Sequence, residues 1–89
     1  MTDLVAPQVN LNGSSKEELL AGYLTVIERL DDLLAALGKV RPNGRDYPHE
    51  RDKNLPAAVD AWEERVRQLE TLRREVSAVG IAINDQNSI

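Results

Sequence analysis

From Ser15 to Leu37 the apolar residues return every three or four positions, at Leu20, Tyr23, Ile27, Leu30, Leu34 and Leu37. That spacing lines them along one face of an α-helix, as in the seam of a coiled coil. Leu19, Val26 and Leu33 form a second column beside the seam at heptad spacing, and Leu24 leans toward the same side. Glu28, Arg29, Asp31 and Asp32 fall mainly on the other face. A second periodic run follows at Val59, Trp62, Val66, Leu69, Leu72, Val76, Val79 and Ile83. The step from Leu69 to Leu72 shifts its register, and Arg73 stands where a strict heptad would place an apolar residue. A local change in winding is expected there.

Punctuation sets the bounds. Ser14 and Ser15, with Glu17 and Glu18 three residues on, give two registers of a capping box. Gly38 sits where a helix end favours a left-handed residue. Asn54 as N-cap and Pro56 in the first turn start a second helix near Leu55. Gly80 weakens its last turn by roughly 1 kcal/mol. The reading is therefore an extended arm over 1–13, a hairpin over 14–83 with helices at 15–37 and 55–83, and a polar tail over 84–89. In the arm, Val9 and Leu11 alternate with Asn10 and Asn12, which suits an extended chain, and Asn12-Gly13 is a turn signal. The joining loop, 38–54, is long for a helix–helix connection. Within it Pro42-Asn43-Gly44 supplies a turn in which glycine permits a positive φ, and Pro48 blocks helix through Tyr47.

The fold class is all-α, a long antiparallel helical hairpin with an extended N-terminal arm. Helices of these lengths make rods of about 35 to 42 Å at 1.5 Å per residue. Two rods touch along one line, so each broad apolar face stays half uncovered. Completion is expected from a second hairpin, from the arm wrapping the stripe, or from a larger partner.

Composition narrows the function. The chain has 89 residues, no cysteine, and 11 Lys and Arg against 15 Asp and Glu, for a net charge of −4. An acidic balance argues against nucleic-acid binding as a main role, because phosphate neutralisation supplies much of that affinity. No apolar run approaches the roughly 20 residues that span a bilayer, so no membrane role is expected. Met1-Thr2-Asp3-Leu4 lacks the basic start and apolar stretch of a signal peptide, which points to a cytosolic setting. Charge is unevenly spread: Lys39, Arg41, Arg45, Arg51 and Lys53 make the tip of the hairpin mildly basic above an acidic stem.

No catalytic, cofactor or metal site is predicted. His49, Glu50 and Asp52 contain ligand chemistry without a closing set. Glu17 and Glu18, Asp31 and Asp32, and Glu63 and Glu64 are helix neighbours pointing about 100° apart, which are solvated faces and not acid–base dyads. An enzyme is not expected. Three surfaces are candidates for binding protein. The first is Arg45-Asp46-Tyr47 at the loop tip, whose plainer role is to satisfy and pack the loop itself. The second is Leu4, Val5, Val9 and Leu11 of the arm, suited to adding an extended strand to a neighbour or lying in its groove. The third is the Leu19, Val26 and Leu33 column. Trp62 would anchor an interface well, but its place in the stripe favours core packing.

Leu11-Asn12-Gly13-Ser14 before the first helix and Pro42-Asn43-Gly44-Arg45-Asp46-Tyr47 after it resemble small phage and prophage proteins of helix–loop–helix type. The likeness runs from about Leu11 to Val79, and its specificity lies in the loop. Those relatives commonly carry a second aromatic after the tyrosine, where this chain has Pro48. The resemblance implies no enzymatic activity. It implies a virion or bacterial cytoplasmic setting; with the uncovered stripe and the arm, the expected role is structural or assembly, with a homo-oligomer or larger phage assembly as partner. In that role the arm would extend over a neighbour. A small inhibitor of a bacterial defence or regulatory protein is the alternative.

Overall fold

Ser15 decides where the first helix starts. Its hydroxyl accepts from the Glu18 backbone N–H at 3.1 Å and lies 3.1 Å from the Glu18 carboxylate, to which it donates. This is one half of a capping box, in the later of the two registers the sequence allows. Glu17 and Glu18 sit in the first turn, where the positive end of the helix dipole favours carboxylates. The computed structural model describes residues 5–10 and 12–86. Its elements are α1 (Lys16–Lys39), a single 3-10 turn (Gly44–Asp46) and α2 (Arg51–Asn84). The architecture is all-helical, two long helices forming an antiparallel hairpin, with no strand among the described residues.

Both inner ends of the hairpin differ from the sequence reading. α1 runs through Gly38 to Lys39, and no described glycine has a positive φ. The left-handed cap is unnecessary because other donors take the last carbonyls. Val40 N–H reaches Leu37 O at 3.2 Å, and the Trp62 indole Nε1–H reaches the same oxygen at 2.9 Å. α2 begins at Arg51, not at Leu55. Glu50 takes the left-handed conformation (φ 47°, ψ 45°) that turns the chain into the helix. Its carbonyl then accepts from Lys53 and Asn54 N–H at 3.0 and 2.8 Å. Asn54 is no N-cap, since its side chain donates to His49 O at 3.1 Å. Pro56 thus lies inside α2, where its missing N–H leaves the Asp52 carbonyl without a helical donor. The loop shrinks accordingly to the residues between Lys39 and Arg51.

Arg73 marks the register between the helices. Its guanidinium grips Asp31 with two bonds, Nε to Oδ1 at 2.6 Å and Nη2 to Oδ2 at 3.1 Å. The α2 stripe therefore keeps its alternation as Trp62, Val66, Leu69, Arg73, Val76, Gly80 and Ile83, and α2 is one unbroken α-helix. The expected shift through Leu72 does not occur, and Leu72 stands off the stripe, 44% exposed. A charge is tolerated in the seam because its partner is on α1 and both groups remain in reach of water.

Little is buried. Leu30 (7% exposed) and Ile83 (0%) are the buried residues of the described chain. The Cα radius of gyration is 18.7 Å and the molecule measures 62 × 23 × 17 Å. A compact chain of this length would have a radius of about 12 Å. Accessible surface is 6721 Å², against about 5,200 Å² expected for a compact protein of this mass.

The described part of the arm folds onto its own chain. Gln86, just past α2, accepts the Val9 N–H on Oε1 at 2.8 Å and donates from Nε2 to Pro7 O at 2.7 Å. The Lys16 ammonium closes the knot by donating to Gln86 O at 2.8 Å. Ile83, the one fully buried side chain among the described residues, lies one turn before this clamp. In the single chain this stretch of the arm lies against the end of its own α2. A glutamine amide offers one acceptor and one donor at the spacing of a strand edge, so it holds an extended segment as a neighbouring strand would. Beyond the clamp Asn10 makes a turn into α1, its Oδ1 accepting from Asn12 N–H at 2.9 Å.

Candidate interaction surfaces

The three candidate surfaces do not converge. The loop motif is at one end of the 62 Å hairpin and the clamped arm at the other, with the helix column between them.

At the tip, Asn43 organises the motif. Its Oδ1 accepts from the Arg45 N–H at 2.9 Å and its Nδ2 donates to the Asp46 carboxylate at 3.0 Å. Asp46 is thus committed to the loop, and Tyr47 is half-buried. The Arg45 side chain is exposed and enters no ion pair among the described residues. Two other arginines of the basic tip have local tasks. Arg41 lies over the Trp62 ring, 5.5 Å from its centroid, and the Arg51 guanidinium lies across Gly44 so closely that a Cβ there would meet it. Gly44 has no positive φ, and its missing side chain leaves room for that guanidinium. Trp62 is half-buried as a cap on α1, a role that its apolar spacing did not reveal.

In the arm, Val9 is half-buried at the clamp and Val5 is 85% exposed. Leu4 and Leu11 lie outside the described residues. Gln86 carries the arm's attachment, and sequence reasoning placed it in a polar tail. Its only signal is a glutamine one turn beyond the last apolar residue of the stripe.

The helices have two apolar sides. On one, Leu20, Leu24 and Ile27 of α1 face Gly80 and Ile81 of α2 across an open groove of about 390 Å³. Leu24 and Ile81 form its rims, 56% and 62% exposed. On the other side lies the Leu19, Val26 and Leu33 column. Leu19, Gly22 and Val26 line a shallow hollow of about 320 Å³ there. Val26 and Leu33 are 44% and 48% exposed, and Leu19 is half-buried. Leu72 joins this side, because it lies about 100° round α2 from Arg73, which points to the groove side. Both sides stay uncovered because two helices share one line of contact.

Electrostatics are confined to the surface. The bond to Arg73 holds the Asp31 carboxyl below its ordinary value, and Asp31 in turn raises the Arg73 guanidinium. Glu64, bonded to Arg67 at 2.7 Å, raises Arg67 in the same way. Among the described residues no three of His, Cys, Asp and Glu gather as metal ligands, and no helix is long and apolar enough to cross a membrane. No protein-family model, curated protein or solved structure matches the chain.

Proposed function

We propose that this chain is a non-enzymatic protein–protein association module, acting as a structural or assembly component of a phage particle. One observation carries the association: the Leu19, Val26 and Leu33 column, with Leu72 beside it, leaves an apolar side of the hairpin open to solvent. Exposed apolar residues gathered on one side mark an interaction site far more often than residues scattered singly. The phage setting is supported by the likeness of the Asn12-Gly13 and Pro42 to Tyr47 motifs to small phage helix–loop–helix proteins. The column is the contact face in this reading. Arg45 is an exposed charge at the tip that enters no ion pair among the described residues, and the clamped arm keeps the open end of the hairpin together.

The experiment is particle incorporation of a tagged chain carrying Leu33→Asp and Leu72→Asp. The reading expects the unaltered chain in purified particles and the double variant excluded from them. Absence of the unaltered chain from particles, with stoichiometric recovery of one host protein, would replace it by the inhibitor reading.

A further inference from the structure

The groove side has a feature that packing within the chain does not explain. Gly80 occupies a seam position of α2, between Val76 and Ile83, where every other residue of the stripe from Trp62 onward carries a larger side chain. Glycine is unfavourable in a helix interior, and a Cβ built at Gly80 meets nothing within 4 Å. No close approach inside the hairpin calls for it. Its effect is to leave a hollow in an apolar groove whose two rims, Leu24 and Ile81, are among the most exposed large apolar residues of the helices. One side of the molecule thus carries both projecting apolar side chains and an open recess between them.

We infer that this groove seats a second copy of the chain, forming a twofold pair of hairpins with their loops at the same end. The inference rests on the association reading above and assigns this side to self-pairing, leaving the Leu33 side for the assembly. A twofold axis along the hairpin lays α1 of each copy over α2 of the other at equal height. Leu24, which shares the level of Gly80 in the groove, then enters the opposite hollow. Asp31 and Arg73, already paired at one level, meet their counterparts as four alternating charges. The reverse arrangement, with loops at opposite ends, sets Leu24 ridge on Leu24 ridge and leaves the hollow empty. A standard interface removes about 800 Å² from each partner, and a side of the 62 × 23 Å hairpin is large enough to supply it.

Sedimentation of the full chain across a concentration series tests the pairing. The expected mass is twice the 9.9 kDa of the chain. Gly80→Leu fills the recess where there is room for it and favours helix, so it keeps the hairpin folded. It should weaken dimerisation by at least about tenfold. Oxidation of a mixture of Leu24→Cys and Ile81→Cys chains should favour the mixed disulfide over the Leu24→Cys homodimer. A dimer indifferent to Gly80→Leu, or a dominant Leu24→Cys homodisulfide, would overturn the arrangement. A fully helical monomer at every concentration would overturn self-pairing itself. That outcome leaves the association reading intact, because particle incorporation of Leu33→Asp with Leu72→Asp measures it on the opposite side.

Discussion

Gln86 binds the arm with both ends of its side-chain amide, accepting from Val9 and donating to Pro7, while Lys16 holds its carbonyl. The two amide bonds join residues more than seventy positions apart, so they close the open end of the hairpin. Each such bond contributes on the order of 1 kcal/mol, and the loss of both together about 2 kcal/mol. Gln86→Ala should lower stability by that amount in urea unfolding and speed exchange of the Val9 amide proton. Gln86→Glu should keep the bond from Val9 and lose the one to Pro7, giving an intermediate loss. Full protection of Val9 in Gln86→Ala would show that the arm is held by packing instead. At the other end Glu50 shows what a single residue costs locally. Among the described residues it is the non-glycine one in the left-handed region, a conformation unfavourable by roughly 1–2 kcal/mol, and it moves the start of α2 to Arg51.

Between the helices, Asp31 and Arg73 replace an apolar seam contact with a two-bond ion pair. The Asp31 carboxyl is held below its ordinary value by the hydrogen bond to Arg73. A depressed carboxyl binds its proton less readily in the folded chain than in the unfolded one. Its stabilising effect is therefore present above the ordinary carboxylate range and disappears as pH falls through that range to the lowered folded value. Both partners are exposed, so the effect is small and screened by salt. Thermal unfolding followed from neutral to acid pH should show a slight loss on the acid side. Asp31→Asn should start slightly less stable at neutral pH and lack that part of the decline. An unchanged acid limb in Asp31→Asn would assign the decline to other carboxylates.

At the scale of the molecule, apolar residues divide into those that hold the hairpin and those that stay exposed in the single chain. Leu30 is 7% exposed, and truncating a buried leucine costs about 2–5 kcal/mol. Leu30→Ala should therefore reduce the helical signal and the unfolding midpoint sharply. Leu33→Asp with Leu72→Asp changes two residues already 48% and 44% exposed, and should leave both within a small margin of the unaltered chain. Circular dichroism with urea titration distinguishes the two. Equal damage from both substitutions would mean that the Leu33 side is covered within the chain.

Periodicity alone determined the two helices, their antiparallel pairing and the shortage of cover for their apolar faces, because a 3.6-residue repeat and rod geometry need no knowledge of distant contacts. The Ser15 cap was legible for the same reason, being a bond three residues long. The inner helix ends were not. Gly38 and Asn54 carry the usual signals, yet Trp62 arrives from α2 to satisfy Leu37, and Glu50 turns the chain before Asn54 can cap it. Arg73 read as a fault in the heptad until Asp31, 42 positions away, stood opposite it. The Leu19, Val26 and Leu33 column was visible in the sequence, but Leu72 moved beside it only once Arg73 fixed the rotation of α2. The attachment of the arm to Gln86 was not legible because Gln86 and Val9 meet only after the hairpin has brought its ends together. Local spacing chooses elements, whereas caps, rotation and clamps depend on which donor reaches which acceptor across the fold.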